Sequence, residues 1–229
     1  MDCWGSVLRK MAWTVLFVFP LNAWAAESPL ATVRATIEQA TAVLQNPAYQ
    51  GPEHLQLRVK KVREVVEPHF DTQEIAKRAL GAYWRERTAE ERKNFVQLFT
   101  EFVQKTYSGA LDRYSTNVQF FYDHERIDNK FAEVDTRIFD PAPNKTFAVT
   151  YKMHLVKDKW LVYDVVAENV SMVRNYRNQF NRIILKSSYQ DLVQTLQTKV
   201  KELDTAPQST LAPDLSTPQS TLAPNLSAS

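Results

Sequence analysis

The stretch FDTQEIAKRALGAYWRERTAEERKNFVQLFTEFVQKTYSGALDRY, residues 70–114, contains two helix-start signals in succession. Asp71 followed by Glu74, and Thr88 followed by Glu91, each match the capping box that marks the first turn of a helix. The stretch therefore predicts one helix that begins after Asp71 and a second that begins after Thr88 and runs to about residue 114.

The second of these helices has an apolar face that is rich in aromatic side chains. Its apolar residues recur at steps of three and four, the spacing of one helix face. They are Phe95, Leu98, Phe99, Phe102, Val103, Tyr107, Leu111 and Tyr114. Such a face is typical of a helix packed on a protein core, and it also suits the wall of an apolar cavity. The pattern alone favours the core helix and leaves the cavity wall open.

The first 25 residues have the pattern of a secretory signal peptide. Basic residues precede an apolar run from Met11 to Phe19, and Ala-Trp-Ala at 23–25 offers a small-x-small cleavage site. The run is about ten residues long, whereas a membrane-spanning helix needs about 20. We therefore expect an exported, soluble mature protein that begins near Ala26.

Composition excludes several classes of chemistry. The single cysteine, Cys3, lies in the predicted signal peptide, which excludes disulfides and cysteine-based sites in the mature chain. Only Gly51, Gly81 and Gly109 follow that peptide, and they lie too far apart for a dinucleotide-binding turn or a P-loop. The four histidines show no metal-ligand spacing, and a net charge of +2 gives no field for nucleic acid. We predict a protein that is not an enzyme and has no metal site and no cofactor.

One carboxylate leaves an enzymatic alternative open. Asp164 stands between Tyr163 and Val165 on an apolar predicted strand, where burial would raise its pKa and suit it to act as a general base. The alternative is an aspartate that accepts a hydrogen bond from a neighbouring backbone group.

The rest of the chain predicts an α+β domain. Ser28 and Pro29 open a helix that ends near Asn46, and a further helix starts at Pro52 and is ended by Pro68. The apolar period then changes from 3.6 to 2, which predicts four strands. They lie at 117–122, 131–139, 145–156 and 159–167. The fourth is apolar on both faces, so the sequence does not tell which face meets the helices.

Two more helices follow the strands, and a repeat follows the helices. Ser171 and Ser188 are the predicted caps of these helices. The decapeptide PQSTLAPDLS at 207–216 recurs as PQSTLAPNLS at 218–227. Because this unit holds little apolar mass, we predict a disordered tail at 205–229 after a domain at 26–204.

The segments FDTQEIAKRALGAYWRERTAEERKNFVQLFTEFVQKTY and WLVYDVVAENVSMVRNYRNQF together resemble the MlaC family, also known as the toluene-tolerance auxiliary family. The resemblance extends from about Ala31 to Leu203. It implies a small antiparallel four-stranded sheet of nuclear-transport-factor type, wrapped by about six helices around an apolar cavity. Two departures are Asn169, where the family usually has glycine, and the long tail.

The resemblance also implies a function. Members are soluble periplasmic carriers that bury the acyl tails of a phospholipid. They shuttle it between an outer-membrane lipoprotein complex and an inner-membrane ABC transporter complex, which maintains outer-membrane lipid asymmetry. For this chain we expect a monomer that comes near membranes only transiently. The alternatives are a carrier of hopanoid or another lipid, an enzyme on the same fold that uses Asp164, and a structural envelope protein whose tail binds a partner.

On this basis we predict apolar residues from both helices and strands as the lining of the lipid cavity. They are Tyr83, Leu98, Phe99, Phe102, Val103, Tyr107, Leu111, Val149, Tyr151, Met153, Val165, Val173, Tyr176, Phe180 and Ile184. Arg174 and Arg177 are predicted to face the anionic phosphate of the headgroup.

Overall fold

The fold is taken from a computed structural model of the chain, which describes residues 27–113, 118–141, 144–205 and 226, with the backbone alone for 109–113. The predicted signal peptide and nearly all of the predicted tail lie outside these residues. Six α-helices lie within them: α1 (Pro29–Gln45), α2 (Leu55–Val66), α3 (Thr72–Leu80), α4 (Ala89–Arg113), α5 (Met172–Lys186) and α6 (Tyr189–Thr205). No helix in the described ranges has both the length and the apolar character that crossing a bilayer requires.

The described strands form one antiparallel sheet in which each strand pairs with the next along the chain. They are β1 (Gln119–Asp128), β2 (Phe131–Asp140), β3 (Lys145–Val156), β4 (Lys159–Ala167) and β5 (Val170–Ser171). The predicted α+β class is confirmed. The predicted number of four strands is one too low, because the two residues of β5 are too few to show a period of 2. The first strand runs further than predicted, because the polar residues after Tyr122 carry no alternation.

The start of α3 differs in one bond from the predicted capping box. The Asp71 carboxylate accepts the Glu74 backbone N–H at 2.9 Å, as predicted. The reciprocal bond does not form, because the Asp71 backbone N–H donates to the Val162 carbonyl at 2.9 Å and ties α3 to β4. The Glu74 carboxylate instead accepts from Lys77 and Arg78, both at 2.9 Å.

The other predicted caps are present. Thr88 and Glu91 form the full capping box, each accepting the other's backbone N–H, at 3.1 and 2.7 Å. The backbone hydrogen bond from Thr88 lowers the pKa of the Glu91 carboxyl. Ser28 and Ser171 cap α1 and α5, each accepting a backbone N–H from the first turn of its helix.

A β-bulge explains why β4 is apolar on both faces in the sequence. Lys152 of β3 pairs with Asp164, but the next residue, Met153, pairs with Val162, which leaves Tyr163 as the extra residue. The bulge changes which alternate residues of β4 point towards α1. Apolar side chains therefore face the same side of the sheet before and after it.

Most of the buried apolar residues fall into two clusters. The helical core lies among α3, α4, α5 and α6 and consists of Ile75, Ala76, Ala79, Leu80, Trp84, Phe95, Phe99, Phe102, Met172, Val173, Tyr176, Phe180, Tyr189, Leu192, Leu196, Val200 and Leu226. The sheet core lies between α1 and the sheet and consists of Val33, Ala132, Val134, Met153, Trp160 and Val162. In the helical core, the Phe99 ring meets Tyr176 and Phe180 edge to face at centroid distances of 5.0 and 5.1 Å, an arrangement that aromatic pairs favour.

The turn between β4 and β5 adopts the left-handed conformation that glycine favours. Glu168 and Asn169 have φ angles of 48° and 66°. Asparagine tolerates this region better than most other residues, so Asn169 preserves the turn in place of the glycine that the family usually has. The turn leads the chain directly into β5 and the N-terminus of α5.

Candidate functional site

An apolar pocket of about 350 Å³ lies among α2, α3 and α4, with β4 and the start of α5 closing one side. Its lining residues are Val59, Val62, Arg63, Val66, Glu67, Phe70, Thr72, Ile75, Phe99, Thr100, Val103, Gln104, Tyr107, Ser108, Val165 and Met172. The exposed surface inside the pocket is almost entirely carbon, although several lining residues are polar. Such a site can hold a hydrocarbon but offers little to orient a polar substrate.

Helical periodicity places the pocket walls. Val59, Val62 and Val66 are spaced by three and four residues on α2, so they share one face of that helix. Phe99 and Val103 have the same spacing on α4. The two helices therefore present matching apolar faces to the space between them.

The pocket has a polar rim. Phe99 is 1% exposed, whereas Arg63 and Glu67 of the same lining are exposed to solvent, which places the phenyl ring deep in the pocket and the two charges at its edge. Gln104 is half-buried between these levels. The site is thus graded from hydrocarbon inside to charge outside.

Tyr107 brings a phenol to the lining. Burial raises the pKa of Tyr107 above the ordinary tyrosine value, and burial does the same to its neighbour Tyr176. In the sheet, burial raises the pKa of Tyr151 to about 12. All three phenols are therefore neutral at physiological pH.

The predicted cavity residues separate into groups in the structure. Phe99, Val103, Tyr107 and Val165 line the apolar pocket. Others lie in or against the helical core, namely Tyr83, Leu98, Phe102, Val173, Tyr176, Phe180 and Ile184. Tyr151 and Met153 lie in or against the sheet core, and Val149 is 5% exposed. The side chain of Leu111 is outside the described residues.

Sequence reasoning missed the contribution of α2 and α3 to the pocket. The valines of α2 have the spacing of one apolar helix face, but nothing in their pattern shows that this face lies opposite α4. Phe70 and Ile75, which flank the N-terminus of α3, also line the pocket. The signal that would have added α2 to the predicted pocket lining is an apolar helix face with no assigned packing partner.

Arg174 and Arg177 lie at a second pocket, of about 390 Å³, which is polar. Its lining residues are Arg78, Arg126, Glu133, Thr150, Lys152, Tyr163, Asp164, Val166, Ser171, Val173, Arg174 and Arg177. Among the described residues the two lining sets do not overlap. Asp164 and Val166 line the polar pocket, whereas Val165 between them lines the apolar pocket, so the two pockets lie on opposite faces of β4.

Three charges of the polar pocket, those of Arg126, Glu133 and Lys152, are paired with one another. Glu133 accepts from Arg126 at 2.7 Å and from Lys152 at 3.0 Å. The hydrogen bond from Arg126 is the main cause that lowers the pKa of the Glu133 carboxyl. Arg177 Nε donates to the backbone carbonyl of Arg78 at 2.7 Å, which joins α5 to α3.

Asp164 is engaged in holding the start of α5. Its side chain is 6% exposed, one oxygen accepts from the Ser171 hydroxyl at 2.5 Å, and the other accepts from the Val173 backbone N–H at 3.0 Å. The prediction of an aspartate hydrogen-bonded to a neighbouring backbone group is confirmed. A carboxylate at a helix N-terminus is also favoured by the helix dipole.

The described residues contain no group of three or more histidine, cysteine or acidic side chains arranged to hold a metal ion. His154 forms a pair only, with its Nε2 atom 3.0 Å from an Asp71 carboxylate oxygen. Neither pocket is built around such a group.

Comparison with known proteins gives relatives that align along most of their length. The chain is 24% identical over 217 residues to the intermembrane phospholipid transport system binding protein MlaC of Haemophilus influenzae, covering 88% of this chain and 97% of that one. It is 22% identical over 205 residues to the toluene tolerance protein ttg2D of Pseudomonas putida, covering 89% of this chain and 94% of that one.

A solved structure shares the fold. It is the phospholipid-binding protein of Ralstonia solanacearum in complex with a phospholipid, matched with a TM-score of 0.70 and 24% sequence identity over 78% of this chain and 100% of that one. A match at 24% sequence identity shows that the two proteins share the architecture described above. The family model for the MlaC protein matches residues 34–198, which is most of the chain and includes both pockets. The chain therefore belongs to the MlaC family.

Proposed function

We propose that this protein is a phospholipid carrier that holds acyl tails in the apolar pocket. The observation that carries the proposal is the pocket itself, a hydrocarbon-lined space with charge only at its rim. The names of two relatives, a phospholipid transport binding protein and a toluene tolerance protein, support the same chemistry. A binding role, rather than catalysis, also agrees with an Asp164 carboxylate that is occupied at the start of α5.

The energetics explain why a carrier needs such a pocket. Two acyl chains of about 15 methylenes each gain about 24 kcal/mol from burial, at about 0.8 kcal/mol per methylene. A carrier must offer comparable burial, or the lipid remains in the bilayer. The pocket of about 350 Å³ is at the small end of ligand sites, which measure about 300–1,000 Å³. We therefore expect α2 and α4 to move apart when both tails enter.

The headgroup belongs at the polar rim. Arg63 is an exposed cation on the rim of the apolar pocket, placed to face a lipid phosphate while the tails lie against Phe99. Arg174 and Arg177, the residues predicted for this role, lie across β4 at the polar pocket. Their contact with a headgroup stays a prediction and would require the lipid to extend beyond the apolar pocket. Because most binding energy resides in the tails, headgroup selectivity should be weak.

The cellular role follows from the family and the predicted signal peptide. We infer a periplasmic protein that shuttles phospholipid between an outer-membrane lipoprotein complex and an inner-membrane ABC transporter complex, and so contributes to outer-membrane lipid asymmetry. If the free energy of moving a lipid between the bilayer and the pocket is close to zero, those two complexes set the direction of transport.

Native mass spectrometry of the mature protein, isolated from a bacterial periplasm without detergent, tests the proposal. We expect a discrete added mass that solvent extraction identifies as diacyl phospholipid. If the extracted lipid is a hopanoid or another lipid, that lipid and not phospholipid is the cargo. A protein that is empty, folded and unable to take phospholipid from vesicles would refute the carrier function.

A further inference from the structure

A residue of the C-terminal repeat lies buried in the helical core. Leu226 is 2% exposed and belongs to the same cluster as Phe180 and Leu192. Its backbone N–H donates to the side-chain oxygen of Gln179 at 2.9 Å in a buried hydrogen bond between positions 47 residues apart. A side chain and a backbone group of the tail are therefore both bound by the domain.

Gln179 is oriented to make this contact. It is 5% exposed on α5, and its amide nitrogen donates to the Asn175 side-chain oxygen at 3.2 Å. The nitrogen is thus directed along α5, and the oxygen is directed at Leu226. A buried amide oxygen that lacks a donor is unfavourable, so the site is built to receive a backbone N–H.

The sequence around Leu226 occurs twice. Pro-Asn-Leu-Ser at 224–227 ends the second repeat, and Pro-Asp-Leu-Ser at 213–216 ends the first. In each copy a proline stands two residues before the leucine, and its fixed φ reduces the conformational freedom that is lost on docking. The duplicated unit thus has the chemistry of a short docking peptide with one leucine anchor.

We propose that the recess beside Gln179 is a binding site for this leucine-anchored repeat, occupied within the same chain by Leu226. Leu226 fills the recess, and Gln179 recognises the backbone through its amide oxygen. Gln179 and Leu226 are absent from the lining of the apolar pocket, so the proposal stands apart from lipid binding.

The chain length between domain and anchor permits the contact. A link of two residues joins α5 to α6, so α6 turns back along α5 and ends at Thr205. Because a helix rises about 1.5 Å per residue, the end of α6 lies about 15 Å beyond the level of Gln179 along the helix axis. About 20 residues separate Thr205 from Leu226, and each can span about 3.3 Å. The reach is ample, and a tether of this kind keeps the local concentration of the repeat near millimolar.

Hydrogen exchange of the full mature chain, read by mass spectrometry, tests occupancy. We expect the amide of Leu226 to exchange at least tenfold more slowly than in an isolated peptide of residues 218–229. Leu226→Asp should abolish this protection, whereas Leu222→Asp, in the same repeat, should keep it. Protection that moves to the first repeat in Leu226→Asp also supports a site that recognises the repeat. An unprotected Leu226 in the parent chain overturns the proposal.

Binding in trans tests the recess itself. A fluorescent peptide of residues 218–229 should bind the full chain that carries Leu215→Asp and Leu226→Asp. It should bind the parent chain at least tenfold more weakly, because the recess of the parent chain is already filled. Adding Gln179→Ala to that double variant should weaken binding tenfold, whereas Asn178→Ala, an exposed neighbour, should not. No binding by a double variant that still folds, or equal binding of a peptide with Leu226→Asp, overturns the proposal. Phospholipid content, measured by extraction, reports separately on the carrier function.

Discussion

Replacing Thr100 by tryptophan should block the apolar pocket without disturbing the surrounding core. Thr100 lies on the pocket lining of α4, is half-buried, and is followed three residues later by Val103 of the same lining. An indole at this position points into space that is already empty. It therefore displaces ligand rather than protein, unlike a substitution at the fully buried Phe102.

The size of the effect follows from the atoms added. Tryptophan carries about seven more non-hydrogen atoms than threonine, and each methylene kept out of the pocket forfeits about 0.8 kcal/mol. If half of those atoms displace a methylene, the lipid loses about 3 kcal/mol, which is about 150-fold in the dissociation constant. The lipid-free variant should melt no lower than the parent, because the ring fills a cavity and buries its own apolar surface.

The assay is uptake of a fluorescent diacyl phospholipid from vesicles, together with the lipid extracted from protein purified without detergent. Gln97→Trp is the matched control, since Gln97 lies on the same helix but is exposed to solvent. We expect the control to load as the parent does and Thr100→Trp to load little lipid. A folded Thr100→Trp protein with the lipid content of the parent would refute the assignment of the tails to this pocket.

Three other changes have defined outcomes. Gly81→Ala should lower the free energy of unfolding by about 1–3 kcal/mol in urea denaturation, because Gly81 ends α3 at φ 62° and ψ −129°, a region nearly restricted to glycine. Asp164→Asn should lower the free energy of unfolding by about 1–3 kcal/mol, because the hydrogen bonds to Ser171 and Val173 become weaker. The lipid content per folded molecule should stay unchanged, and loss of lipid from a folded variant would contradict this expectation. Burial, and secondarily Lys159, lower the pKa of His69, so the folded state favours the neutral imidazole. The contribution of His69 to the free energy of unfolding should be complete above pH 6.5, the ordinary histidine value, and should be lost as the pH falls below it. His69→Gln should therefore reduce the difference between the denaturation midpoints measured at about pH 7.5 and about pH 5.5.

Local signals in the sequence predicted the elements well. Ser28, Asp71, Thr88 and Ser171 all cap helices where their side chains suggested, because an N-cap depends on bonds within a few residues. The period of 2 likewise located β3 at its observed bounds, Lys145–Val156, and Phe147 on this strand is buried.

Non-local pairing was beyond the same reasoning. The bond from the Asp71 backbone to Val162 replaces half of a capping box, and nothing near Asp71 announces it. The bulge at Tyr163 is fixed by pairing with β3 and not by β4 alone. The pocket was only partly predicted for the same reason, since the aromatic face of α4 was visible but its partner α2 was not.

The bulge in β4 also bears on how the length of this strand can change during evolution. Adding or removing one residue in a regular strand reverses the facing of every side chain beyond that point, so such changes are seldom tolerated. Tyr163 is different, because it is already the surplus residue. A chain that lacked it would pair Asp164 and Val165 with the same β3 partners and keep the same inward side chains. Relatives are therefore expected to carry single-residue gaps at this position in preference to any other in β4, a pattern that an alignment of the family can verify.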